Sequence, residues 1–232
     1  MANESAQQES ARSTGKFVFL FVFLVIDLAL YPYGGQATFA PWFRLLNILI
    51  AVSSVYAVSF RRLTWIVALV IAVPVAIHRG ILYDITLTPT KLGLASEALG
   101  IAFDTFIIIV IFRRAFETKE VTSGAIYGAV SIYLLAAFAF SKLYAMLVAL
   151  QPGAFYLDPL LNHNNTLPNT TDLTYYSFVT MTSLGAVGIS PVSDQARSLS
   201  VIESVLGILY LGVLVSRLIA AYRPSPDPDP QP

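Results

Sequence analysis

The sequence predicts an all-α membrane protein with six transmembrane helices, and three observations lead there. First, 56% of the 232 residues are hydrophobic and 12% are charged, whereas a soluble domain carries roughly a quarter charged residues; mean hydropathy is +0.69. Second, the apolar residues gather into six stretches of about 16 to 28 residues, near the roughly 20 needed to cross a 30 Å hydrocarbon layer. Third, a helical stretch too short to span lies between the last two, followed by a Gly-containing loop. The remaining composition is exclusive rather than informative. Net charge is zero, so no basic surface points to nucleic acid. Cysteine is absent, which excludes disulfide scaffolds and thiolate metal sites. Only His78 and His163 remain as imidazoles, too few for a histidine metal centre, and no nucleophile–base pairing or phosphate loop suggests an enzyme.

The first stretch, Phe17–Tyr33, follows an N-terminal segment, residues 1–15. Arg12 and Lys16 precede it as in a signal peptide, but Asp27 interrupts the run and no small-residue cleavage site follows, so an uncleaved helix is expected. The second and third are Trp42–Phe60 and Leu63–His78; Pro74 should bend the third or end it early. The fourth is Leu92–Phe112, and residues 16–116 together form a four-helix bundle. The fifth, Ser123–Leu150, and the sixth, Leu199–Tyr222, frame a second module over residues 123–222. Residues 223–232 form a Pro-rich tail, expected as an extended polyproline-type stub.

Positive charge sets the orientation. With the N-terminus inside, Arg12, Lys16, Arg61, Arg62, Arg113, Arg114, Lys119, Arg217 and Arg223 are cytoplasmic, while Arg44, Arg79, Lys91 and Arg197 are external. The bias places both chain ends in the cytoplasm.

Between the fifth and sixth stretches, Gln151–Thr171 is rich in Pro, Asn, Gly and Thr and reads as an exposed turret. It holds two formal glycosylation triplets, Asn164-Asn165-Thr166 and Asn169-Thr170-Thr171. Thr171 and Asp172 then supply a helix cap, and Leu173–Thr182 follows as a short semi-apolar helix. It cannot span a bilayer, so it fits a re-entrant helix, permitted at membrane depth only when buried in protein or lining water.

Residues Phe178–Pro191 read Phe-Val-Thr-Met-Thr-Ser-Leu-Gly-Ala-Val-Gly-Ile-Ser-Pro. This segment resembles the selectivity-filter loop of tetrameric potassium channels, Thr-x-Thr-Thr-Val-Gly-Tyr-Gly-Asp-Ile-Thr-Pro. Laid against it without a gap, Thr182, Gly185, Ile189 and Pro191 match, and Ser183, Leu184 and Ser190 are conservative replacements. Ala186 stands at the tyrosine, Val187 at the second glycine and Gly188 at the aspartate. The resemblance covers roughly Ser123–Tyr222 and extends through Ala196–Leu218, which is similar to the inner helix of bacterial members. It implies an outer helix, turret, pore helix, filter and inner helix, assembled as a homotetramer in a bacterial or archaeal plasma membrane. It implies potassium or sodium as permeant ion in the filter, with no other cofactor. Gly207 falls near the family's hinge glycine, though a small residue there also permits close helix packing. The first four helices take the place of a voltage sensor, but Leu92–Phe112 carries Glu97 and Asp104 and none of the repeated arginines that move charge through the field.

Backbone carbonyls in such a filter replace the hydration shell of the ion, and aiming them at one axis calls for alternating backbone handedness, which glycine adopts freely. Val187 is β-branched, so a positive φ there would be a genuine outlier. Three outcomes are open. The lower sites formed by Thr182, Ser183, Leu184 and Gly185 survive below a widened mouth, Gly188 takes over the flexible position one residue later, or the loop collapses into a non-conducting plug.

Asp27, Glu97, Asp104, Lys142 and Glu203 lie within the spans, where each charge costs about 2.5–3.5 kcal/mol and should face protein or water. At 1.5 Å per residue, depth allows Lys142 to pair with Glu203 or with Glu97. Asp27 and Asp104 fall near mid-membrane. The expectation is an ion channel subunit for monovalent cations with altered selectivity; the alternative is a non-conducting membrane protein that keeps the pore fold as a structural or regulatory module.

Overall fold

The computed structural model describes residues 2–33, 38–59, 62–81, 91–117, 123–161 and 167–221. Arg61, Lys119, His163, the triplet Asn164–Thr166, Arg223 and the Pro-rich tail lie outside them.

The described residues form seven α-helices: α1 (Ala2–Leu30), α2 (Ala40–Ala57), α3 (Arg62–Ile81), α4 (Lys91–Glu117), α5 (Ser123–Leu150), α6 (Thr170–Met181) and α7 (Asp194–Ala221). Among the described residues, α1, α4, α5 and α7 contain segments long and apolar enough to cross a membrane; α2 and α3 carry shorter apolar segments, Pro41–Ala57 and Thr64–Val75. The helix α1 starts at Ala2, so residues 2–15 are continuous with the first apolar stretch. A 3-10 turn, Tyr31–Tyr33, follows it and touches α6. The helix α3 continues through Pro74 to Ile81, so of the two expectations, a bend or an early end, the early end is excluded. A proline in an apolar helix is tolerated when neighbouring helices re-satisfy the freed backbone groups, and α3 lies between α2 and α4.

The central element is α5. One side packs on α1 and α4, the other on α6 and α7. Toward the bundle, Phe17, Leu20 and Leu24 of α1 and Phe103, Ile107 and Ile111 of α4 recur at helical spacing and are buried against Ile132, Leu134 and Leu135 of α5. Gly128 lets α1 and α4 meet α5 closely: a Cβ there would stand 3.3 Å from Ile111 Cγ2 and 3.5 Å from the Phe17 ring. Lys16 ties the base of α1 to the end of α2. Its Nζ donates to Ser59 Oγ at 3.0 Å and lies 5.2 Å from the centre of the Tyr56 ring.

Toward α6 and α7 lies a second core of aromatic character. The rings of Tyr144, Phe155 and Tyr176 meet edge to face in a closed triangle, with centroids 5.3, 5.2 and 5.0 Å apart, the geometry their quadrupoles prefer. The turret is less exposed than its composition suggests. Ala154, Phe155 and Leu157 are buried, because β1 (Phe155–Leu157) pairs antiparallel with β2 (Ile189–Pro191), Phe155 opposite Pro191 and Leu157 opposite Ile189. This two-stranded sheet was not anticipated. Alternation of Phe155, Tyr156 and Leu157 between inside and outside is its only local signal.

Candidate functional site: the α6 helix and the loop after it

The first residue of the site is a cap. Asn169, not Thr171 or Asp172, is the N-cap of α6, so that expectation is corrected by two residues. Its Oδ1 accepts the Asp172 N–H at 3.0 Å, and Asp172 Oδ2 accepts the Asn169 N–H at 2.9 Å. Asp172 is therefore the third-position partner of a reciprocal capping box, which satisfies two otherwise orphaned donors.

From this start α6 runs antiparallel to α5, held by polar contacts one turn apart. Thr174 Oγ1 meets Ser141 Oγ at 2.9 Å. Ser177 Oγ lies 2.7 Å from the Ala137 carbonyl. At the far end, the Tyr133 hydroxyl donates to the Met181 carbonyl at 2.9 Å. Residues 133, 137 and 141 share one face of α5, and 174, 177 and 181 share one face of α6. A helix of 12 residues with little apolar amphipathicity is thus positioned by polar contacts along its length. Sequence reasoning passed over Tyr133, Ser141, Thr174 and Ser177. The available signal was the i, i+3 spacing of Thr174 and Ser177 on a helix too short to stand alone.

The polar row continues into α7. Glu203 is fully buried, its Oε2 accepting from the Tyr144 hydroxyl at 2.6 Å and its Oε1 against Ser177 Oγ. Beside it, the Tyr176 hydroxyl lies 2.6 Å from Ser200 Oγ. Lys142 pairs with Asp104 of α4, so neither partner suggested for it from depth is correct. The direction it faces around α5 was decided by packing, toward α4 rather than α7. Glu97 is half-buried, as is Asp27.

The loop begins where α6 ends. Thr182 Oγ1 donates back to the Phe178 carbonyl at 2.7 Å, and the N–H groups of Leu184 and Gly185 both reach the Val179 carbonyl, at 2.9 and 3.4 Å. Positive φ occurs at Ser183 (57°), Gly185 (89°) and Gly188 (80°); Leu184, Ala186 and Val187 do not share it. Handedness therefore alternates from Ser183 to Ala186, and the next reversal falls at Gly188 rather than at Val187. Of the three outcomes open for this loop, the one at Gly188 describes its backbone. Val187 is unstrained: its N–H meets the Tyr175 hydroxyl of α6 at 3.3 Å. The far end of the loop is anchored by Asp158 N–H donating to the Gly188 carbonyl at 2.9 Å. Leu184 and Val187 are highly exposed, at 77% and 69%.

Gly207 of α7 faces the last turn of α6 and is buried. Most of the rest of α7, including Val201, Val205, Leu209 and Val213, is exposed in the single chain.

A short capped helix leads to an exposed, glycine-punctuated loop between two long apolar helices. A family model described as an ion channel matches residues 129–223, under half of the chain, a stretch that takes in most of α5 and all of α6 and α7. No curated protein and no solved structure matches the chain.

Proposed function

We propose that the chain is one subunit of a cation channel, with α5 as outer helix, α6 as re-entrant pore helix, Thr182–Gly188 as filter loop and α7 as inner helix. The observation that carries this reading is the alternating handedness over Ser183, Leu184, Gly185 and Ala186 on an exposed loop. That pattern is what turns successive carbonyls toward one line, where they replace ion hydration. The C-terminal end of α6 leads straight into the loop and adds partial negative charge, roughly half an elementary charge per helix.

One chain offers one such loop, so a closed pore calls for a ring of copies. Four is the number the resemblance implies. The exposed apolar surface of α7 supports assembly, since lipid or a neighbouring copy must cover it. Monovalent cations, potassium first, are the proposed cargo, with selectivity weaker than in the full filter because the upper reversal is displaced by one residue. The outer mouth lacks an acidic ring, Gly188 standing where the resemblance places aspartate. The four-helix bundle carries no series of arginines on α4, so steep voltage gating is not part of the proposal.

A second reading, a non-conducting module with the same fold, is favoured by the exposed apolar side chains of Leu184 and Val187 on the loop. Ion flux from liposomes holding the purified protein separates the two. Flux under a potassium or a sodium gradient supports the channel, and the ratio of the two reports selectivity. An assembled tetramer that passes neither ion sinks it.

A further inference from the structure

We propose that Glu203 is a positioning residue for the filter loop and that it works as an uncharged carboxylic acid. Its effect on conduction rests on the channel reading; its protonation does not.

Three protein oxygens crowd one hydroxyl network. Ser177 Oγ lies 2.7 Å from the Ala137 carbonyl and also contacts Glu203 Oε1. A serine hydroxyl has one proton to give. If that proton goes to a carboxylate, a Ser177 lone pair faces the Ala137 oxygen at hydrogen-bond distance with no proton between them. If it goes to Ala137, the contact with Glu203 needs its proton from the carboxyl. The second oxygen cannot serve, because Oε2 already accepts the Tyr144 hydroxyl at 2.6 Å. One arrangement gives every contact a proton: Glu203 donates from Oε1 to Ser177, Ser177 donates to Ala137, and Tyr144 donates to Oε2. It requires the neutral acid.

The surroundings offer no substitute charge. From α5, Tyr144 meets the group, Tyr133 turns its hydroxyl to the Met181 carbonyl, and Lys142 is paired with Asp104 of α4. From α6, Tyr176 faces it with its hydroxyl at Ser200, and Asp172 is held in the capping box at the other end of that helix. The strand β2, Ile189–Pro191, brings no titratable side chain. On α7 itself, Asp194 and Arg197 are exposed near its start and Arg217 lies toward its far end. Among the described residues Glu203 forms no ion pair.

The carboxyl thereby joins three helices at one point: α7 through its own backbone, α5 through Tyr144 and Ala137, and α6 through Ser177. Ser177 lies one turn before Met181, where α6 gives way to the loop. Removing the proton leaves a buried anion that draws the Ser177 proton away from the Ala137 carbonyl, so the pore helix loses its tie to α5 at that turn. A glutamine reproduces the neutral pattern, its amide donating to Ser177 and its oxygen accepting from Tyr144.

Infrared spectroscopy of the purified wild type and Glu203→Gln at neutral pH tests the protonation directly, whether or not the protein conducts. The expected result is a neutral-acid carbonyl band present in wild type and absent from the variant, with assembly unchanged. A neutral-acid spectrum identical in both proteins overturns the proposal, as does a Glu203→Gln protein that fails to assemble. Potassium flux from liposomes across neutral to alkaline pH tests the consequence. Wild-type flux should fall as pH rises while Glu203→Gln stays flat; parallel profiles overturn the positioning role, and absence of flux at every pH removes the channel reading while leaving the infrared result to stand.

Discussion

Gly207 of α7 and the Met181 carbonyl of α6 are packed so closely that a Cβ on Gly207 would stand 2.2 Å from that oxygen and 3.1 Å from its carbon. The same carbonyl accepts the Tyr133 hydroxyl of α5. Three helices therefore meet at the last residue before the loop, and glycine is needed there for approach rather than for backbone freedom. Replacing it with alanine forces α7 off α6, since backbone cannot rotate away as a side chain can. Overpacking of this kind costs about 1–3 kcal/mol. Thermal unfolding of the assembled protein in detergent should show Gly207→Ala well below wild type; an unchanged transition would mean the contact is looser than its geometry. The hinge role for Gly207 is a separate proposal, and the packing neither needs it nor supplies it.

Lys142 of α5 and Asp104 of α4 join these two helices by a buried pair. Breaking a buried pair by removing one partner leaves the other charge uncompensated, typically at about 3–5 kcal/mol. Lys142→Met and Asp104→Leu should each destabilise strongly, while the double variant recovers most of the loss because no lone charge remains. A double-mutant cycle by denaturant unfolding measures the coupling. Additive losses would show that the pair is solvated and holds little.

The capping box predicts a local effect. Asn169→Ala removes the acceptor for the Asp172 N–H and should cost about 1 kcal/mol. Hydrogen exchange should quicken in the first turn of α6 and leave Val179 and Met181 near wild-type rates. Uniform protection in the variant would argue against Asn169 as the start of the helix.

The loop backbone reverses the ranking of its residues. Gly188 has φ of 80° and Val187 does not share it, so Gly188→Ala should strain the loop by about 1–2 kcal/mol while Val187→Gly leaves its path intact. In liposome flux, Gly188→Ala should change the potassium-to-sodium ratio more than Val187→Gly does. The opposite order would place the functional reversal at Val187. The family-like triple change Ala186→Tyr, Val187→Gly and Gly188→Asp has to move that reversal back by one residue, so it tests whether the surrounding scaffold can follow.

The fold was legible where a physical period or length governs it. Four long apolar helices, α1, α4, α5 and α7, followed from runs near the thickness of a bilayer, the apolar segments of α2 and α3 are shorter than expected, and the short α6 followed from a run that is not long enough. The ordinary chemistry of caps identified the right neighbourhood for its start, two residues late, because Asn169, Thr171 and Asp172 are all acceptable caps and only the hydrogen bonds choose among them. The strand pair β1–β2 escaped notice because three residues carry too little pattern.

What the sequence by itself determined is the order of the helices and the position of the loop between α6 and α7, since these depend on composition and spacing along one chain. What only the tertiary structure decided is which way side chains face around each helix. Lys142 turns to Asp104, Glu203 meets Tyr144 and Ser177, and Gly188 takes the reversal from Val187. Position along the chain is a one-dimensional quantity that a sequence carries. Azimuth and backbone handedness depend on which neighbours satisfy a buried polar group, and those neighbours are distant in the chain: 38 residues separate Asp104 from Lys142, and 59 separate Tyr144 from Glu203.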